Sequence, residues 1–237
     1  MEIMDIIIDS ISYPAENLKS LVIYLILGLV LGLVIGVTGV ETALMTGEGS
    51  FFAFLLAIIG VIISILIAFL LEGYGLDIIK SGIRRSTASP EVDFQRQSIN
   101  GVKSVIVSIV YFIIPIIIII LLNIIFKNWI VYIVAFILMI IFSLAYTMGI
   151  CRLAKTEDLS VALDIKAAID DIFNIGFVKV VLTIVAAIFV MLIITGIFGA
   201  ITGAIFNKTI SSAIMGIING YLLFFYNRAI GLLYSEI

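Results

Sequence analysis

The segment "GYGLDIIKSGIRRSTASPEVDFQRQSINGVKS", Gly73 to Ser104, carries five basic and three acidic side chains in a chain that is only 12% charged. Its carboxylates Asp77, Glu91 and Asp93, joined by Asp164 further on, would supply an acid/base pair for work on a lipid if they converged at an interface. Ser86, Thr87 and Ser89 are hydroxyls in the same stretch, yet the chain has no histidine to activate them. Two further carboxylate pairs, Glu157–Asp158 and Asp170–Asp171, are sequence neighbours. Neighbours on a helix diverge by about 100°, so neither pair forms a convergent site. Gly73-Tyr74-Gly75 is a GxG without the strand and helix of a phosphate-binding turn. The lone Cys151 forms no internal disulfide and no CxxC metal pair, and the lack of histidine removes the commonest metal ligand. The expectation is no catalytic residue, no cofactor, no metal and no enzyme. A formal charge of −3 likewise points away from nucleic acid.

The elements that carry these residues are set by apolarity. The chain is 63% hydrophobic with a mean hydropathy of +1.35. A span needs roughly 20 apolar residues to cross about 30 Å of hydrocarbon. Six runs meet that need, at about 19–40, 51–72, 104–126, 128–150, 177–200 and 210–233. They are continuously apolar, without the alternation of a barrel strand. The expected fold is an all-α integral membrane protein, one domain over 1–237, with six transmembrane helices in three hairpins. The connectors 73–103 and 151–176 join them.

Orientation follows the distribution of positive charge. Lys80, Arg84, Arg85, Arg96 and Lys103 lie in the first connector and its flanks. Arg152, Lys155, Lys166 and Lys179 mark the second, and Lys19 and Arg228 add to the same side. Lys127 and Lys208 stand alone opposite. The expectation is a multi-pass protein of the cell membrane with both termini cytoplasmic. The amino-terminal "MEIMDIIIDSISYPAENLK" lacks the basic region and cleavage site of a secretory signal. Asn207-Lys208-Thr209 matches the N-x-T acceptor pattern on the outer side.

Short amphipathic helices are expected in the cytoplasmic headgroup plane. One sets Ile3, Ile7 and Ile11 against Glu2, Asp5 and Asp9; another sets Ala162, Ile165, Ile169, Ile172 and Phe173 against Asp164, Asp170, Asp171 and Asn174. Ser89-Pro90-Glu91 suits an N-cap, a proline at the first helical position and an early acid. "VDFQRQSINGVKSVIVSIV" (92–110) and "LDIKAAIDDIFNIGFVKVVLTIV" (163–185) echo one another, each running from an acid through Asn and Gly to Lys and a span.

Within the spans, Gly28, Gly32 and Gly36 share one helix face, as do Gly196, Gly199 and Gly203, and Gly216 with Gly220. Such faces let backbones approach, within the bundle or between copies of the chain. Pro115 predicts a kink in the third span. The central parts of all six spans read as free of ionisable groups, and Arg228 is expected to snorkel to the interface.

"SISYPAENLKSLVIYLILG", with its Tyr-Pro before the first span, and "GYGLDIIKSGIRR" closing the second are joined by "PEVDFQRQSINGVK" and "YFIIPIII" in the third. Together they resemble an archaeal membrane-protein family catalogued as domain of unknown function 4013, over nearly the whole chain. The resemblance implies the six-span architecture and an archaeal source, and adds no mechanism. That family often has an aromatic where Val92 stands, so an aromatic packing role does not carry over.

The functional expectation is a non-enzymatic membrane scaffold or subunit. Its partners are the bilayer, a protein met through the cytoplasmic connectors, and a second copy of the chain met through the glycine faces. The alternative is a permease or channel for a small or amphipathic solute.

Overall fold

The computed structural model describes residues 1–38 and 51–237; the outer connection expected over 41–50 lies outside them. Among the described residues the regular structure is all helical, with no strand. The helices are α1 (Ile3–Glu16), α2 (Leu18–Thr38), α3 (Phe51–Ile83), α4 (Phe94–Phe126), α5 (Ile130–Thr156), α6 (Leu159–Ala162), α7 (Ile165–Ile175), α8 (Phe177–Ile205) and α9 (Lys208–Tyr234). Six of them, α2, α3, α4, α5, α8 and α9, are long and apolar enough to cross a membrane.

Helices α3 and α4 have 33 residues each. At 1.5 Å per residue each is about 50 Å long, far more than a bilayer's hydrocarbon thickness. The apolar runs 51–72 and 104–126 are therefore parts of longer rods. Much of connector 73–103 continues those rods, and only residues 84–93 between them are non-helical. Helix α3 closes with Arg85 in the left-handed region (φ 51°). The Arg85 and Ser86 amides donate back to the carbonyls of Gly82 and Ser81, each at 2.9 Å, which satisfies end groups that the helix would otherwise leave open.

Helix α4 starts later than Ser89-Pro90-Glu91 suggested. Asp93 is its N-cap, accepting from the Arg96 amide at 3.1 Å. The Glu91 carbonyl is instead taken by the Gln97 side chain at 3.1 Å, and the Ser89 hydroxyl bonds Ser20. Those contacts hold 89–91 outside the helix. Asp164 caps α7 in the same way, through the Ala167 amide at 3.0 Å. The internal echo is thus a repeated cap. The copies then part. Gly101 stays inside α4, where a Cβ would strike the Phe69 backbone, whereas Gly176 takes φ 107° and ends α7 before α8 begins.

Helix α9 is the hub, packing most extensively on α2 and also on α3, α8 and α1. Helices α2 and α3 are therefore both braced by the last helix. The main apolar core gathers where the connectors lie, around Tyr111, Met148, Leu153, Phe225 and Leu233. A second cluster joins α1, α2, α3 and α9: Tyr24 stacks on Tyr74 with centroids 3.8 Å apart, Phe224 lies 5.4 Å from Tyr74, and Tyr13, Leu21 and Ile78 complete it. Val92 packs against this cluster as an aliphatic residue.

Helix α1 buries Ile6, Ile7, Ser10 and Tyr13, while Met4, Ile8 and Ile11 stay exposed. The docked face is rotated from the Ile3, Ile7, Ile11 stripe, and in this orientation Asp9 reaches Arg228, as described below.

Candidate functional site

Most of the chain's charge meets at one end of the bundle, the end of the two connectors. Asp77 of α3 is only 6% exposed and is held by Arg96 of α4 through two bonds, 2.6 and 2.9 Å. This forked geometry uses both terminal guanidinium nitrogens and both carboxylate oxygens. Gln97 is fully buried: its amide nitrogen donates to Asp77 at 2.9 Å, and its amide oxygen accepts from the Tyr24 hydroxyl at 2.9 Å. Three helices are thereby joined by one polar relay. Close approach is possible because Gly73 of α3 lies against the Gln97 backbone. Gly73 is a packing residue, which the GxG pattern did not reveal.

Glu157 ends α5 in the left-handed region (φ 57°) and links the second connector to the first. Its carboxylate accepts from Lys80 at 2.6 Å and lies 3.7 Å from Arg96, and its carbonyl accepts from Lys103 at 2.8 Å. The Lys80 bond holds its pKa below the usual carboxylate range, against the opposing effect of partial burial. A group depressed in the folded state stabilises above its unfolded pKa and loses that contribution as pH falls through the folded value. The wild type should therefore melt above Glu157→Gln at pH 7, with the gap closing below about pH 4. A gap independent of pH in thermal scans of the two proteins would contradict the pairing.

The neighbouring Asp158 points away and caps α6 through the Ser160 amide at 2.8 Å. Asp170 and Asp171 diverge as well. Asp171 was expected on a polar face but is 8% exposed, because Arg152 at 2.9 Å and the Tyr234 hydroxyl at 2.8 Å reach it from α5 and α9. Lys179 pairs with Glu236 at 2.6 Å, and the amino terminus meets the same carboxylate at 2.8 Å. Asp77 is thus engaged in ion pairing, and Asp93 and Asp164 in capping, while Glu91 and Asp77 line one cleft. Among the described residues no three His, Cys, Asp or Glu side chains group as metal ligands.

Arg228 does not snorkel. It is 1% exposed, with its Nε donating to Asp9 at 2.7 Å, one Nη to the Ser86 carbonyl at 2.6 Å, and its plane 4.3 Å from the Tyr13 ring. It ties α1 and the 84–93 segment to α9. Beside it opens a polar cleft of about 460 Å³, lined by Asp77, Lys80, Arg84, Glu91, Arg96 and Glu157 among others. Lys80 and Arg96 are already paired, whereas the exposed Arg84 side chain has no partner among the described residues. Lys155 approaches the Tyr234 ring at 5.5 Å, and Lys166 is exposed on α7.

The glycine faces separate into two kinds. A Cβ on Gly28 or Gly216 would strike the other's backbone carbonyl; one on Gly32 would come within 2.9 Å of the Ala213 Cα, and one on Gly36 within 2.8 Å of the Thr209 Cα. A Cβ on Gly220 would lie 3.1 Å from the Tyr24 carbonyl oxygen. These five form the α2–α9 seam. At Gly196, Gly199 and Gly203 nothing among the described residues lies within 4 Å of an added Cβ. Helix α8 meets α9 through another face there, where Ser211 donates to the buried Thr202 at 3.0 Å. Pro115 is buried in a helix that runs unbroken from Phe94 to Phe126. Asn207 caps α9, its side-chain oxygen accepting from the Ile210 amide at 3.0 Å.

Sequence reasoning missed Glu72. It closed the second apolar run at that residue, but α3 continues for eleven residues to Ile83. Glu72 lies about 12 Å along the axis from Lys80. It lines a groove of about 350 Å³ between α2, α3 and α9, together with Gly28, Gly32, Ser212, Gly216 and Asn219. Its Oε2 accepts from the Ser104 hydroxyl at 3.2 Å, and no cation pairs with it among the described residues. The recoverable signal was Leu76, Ile79 and Ile83, which prolong the helical spacing past the apparent end of the span.

A family model described as "Protein of unknown function (DUF4013)" matches residues 56–206. No curated protein and no solved structure matches the chain.

Proposed function

The chain belongs to the DUF4013 family, and from the architecture of its connector end we propose a non-enzymatic membrane subunit that docks a protein partner there. The carrying observation is the 460 Å³ polar cleft, in which Arg84 alone of the lining cations stands without an acceptor among the described residues. A carboxylate of the partner, from an acidic side chain or a chain terminus, complements Arg84 through a charge-assisted bond. The excess of Lys and Arg at this end supports a cytoplasmic position, with both termini on that side. The exposed Met4, Ile8 and Ile11 of α1 support that helix lying in the headgroup layer.

Full-length tagged protein should retain one partner through purification from native membranes, and Arg84→Glu should lower its yield about tenfold or more. Equal yield with both proteins, or no retained partner with either, would contradict the proposal. Deleting the second connector is a poor test, since Ala162, Asp171 and Ile172 are part of the core.

A second reading, a permease for a small or amphipathic solute, is favoured by the groove at Glu72, since ionisable groups at membrane depth commonly serve substrate paths. Protein-dependent solute flux in reconstituted liposomes would decide for it.

A further inference from the structure

We propose that the groove between α2, α3 and α9 binds the ammonium group of an amphiphile, with Glu72 as its counter-ion and Asn219 as a second acceptor. The site stands whether or not the protein moves what it binds.

Glu72 supplies the charge. Its Oε2 has one hydrogen bond, from Ser104, and no basic side chain reaches it among the described residues. A carboxylate in an apolar surrounding is costly unless a cation joins it. Asn219 lines the same groove, and its carboxamide has no partner among the described residues. It lies eleven residues from Lys208 and nine from Arg228, so it is near the middle of α9, about 14 Å from the buried arginine along the axis. Two polar side chains with spare acceptors, both exposed, therefore line one open, apolar-walled groove between α2, α3 and α9.

The remaining walls select an organic cation over a bare metal ion. No set of three His, Cys, Asp or Glu groups exists among the described residues to replace a metal's water shell. The 350 Å³ volume far exceeds an ion, and Leu31, Ile35, Leu71, Met215 and Leu223 line it with hydrocarbon. A primary ammonium donates one N–H to Glu72 and another to the Asn219 oxygen, while its apolar tail lies along the aliphatic wall. The pair is neutral overall. The ammonium comes from a membrane lipid's ethanolamine headgroup or from a free amphipathic amine.

The test uses the full chain in detergent, with octylammonium as probe and 1-octanol as its neutral counterpart. Octylammonium should raise the thermal midpoint of the wild type, and octanol should not. Glu72→Gln should weaken the octylammonium effect about tenfold or more, as loss of a charge-assisted bond does. Asn219→Asp, which adds a second carboxylate, should strengthen it, and this arm holds even if Glu72→Gln folds poorly. Equal effects of octanol and octylammonium, undiminished binding by Glu72→Gln, or no gain from Asn219→Asp would overturn the proposal. Native mass spectrometry from nanodiscs of phosphatidylethanolamine and phosphatidylglycerol identifies the source. Phosphatidylethanolamine retained by the wild type and lost from Glu72→Gln assigns the lipid headgroup; equal retention, with octylammonium binding still lost, assigns a free amine.

Discussion

Gly32→Val should drive α2 off α9 and leave little monodisperse protein, at a cost of more than about 3 kcal/mol. The obstacle is backbone: a Cβ at Gly32 meets Ser212 and Ala213 main-chain atoms, which cannot swing aside as the end of a long side chain can. Lipid solvates apolar side chains as well as protein does, so close van der Waals contact is what holds such a seam together. Separating the backbones gives up that contact along the whole Gly28–Gly36 face. The matched control is Gly196→Val, where an added Cβ meets nothing within 4 Å among the described residues. It should stay within about 0.5 kcal/mol of the wild type. Thermal midpoints of the two variants in one detergent check the contrast, and similar losses in both would refute the assignment of the seam.

Asp9→Ala should cost about 3 kcal/mol, the low end of the range for breaking a buried ion pair. The low end applies because Asp9 is itself 35% exposed, while Arg228 is 1% exposed. Without Asp9, the buried guanidinium keeps only the Ser86 carbonyl and the Tyr13 ring. The expected shift is roughly 6–12 °C in the thermal midpoint, with earlier proteolysis within α1 and residues 84–93. Adding Arg228→Met to Asp9→Ala removes the stranded charge and should recover part of the loss. A double variant as unstable as Asp9→Ala plus the full cost of Arg228→Met would show that the two residues act independently.

Hydropathy made the six membrane helices legible, because twenty consecutive apolar residues have few other uses. It misjudged where helices end. Residues 73–83 were drawn into a connector because they are polar, whereas Ser89-Pro90-Glu91 did point to a helix before the third span. The structure extends α3 through 73–83 and starts α4 at 94, with charges paired across the two rods as in Asp77–Arg96. Glu72 was hidden by the same error, lying where a span was drawn to stop. Asp171 and Arg228 were assigned to solvent because a single helix face gives no knowledge of the partner arriving from another helix. Small-residue spacing found the Gly28–Gly36 seam and, by identical logic, the unpacked Gly196–Gly203 face. Spacing establishes that a close approach is possible, and only the tertiary arrangement decides whether a neighbour fills it. The packing roles of Gly73, Gly101 and the facing pair Gly82 and Gly231 were missed for the opposite reason: they meet backbone at isolated positions and form no repeating stripe.

The central proposal, a docking surface on the cytoplasmic side, is tested most directly at Thr87, an exposed residue of the 84–93 segment. Cys151 is the only native cysteine and is fully buried, so Thr87→Cys presents one reactive thiol. A membrane-impermeant maleimide carrying a photoactivatable group would be applied to sealed native vesicles of each orientation. The account predicts labelling, and a discrete crosslinked protein adduct, in inside-out vesicles only. Labelling in right-side-out vesicles, or labelling from the inside with no adduct, would contradict it.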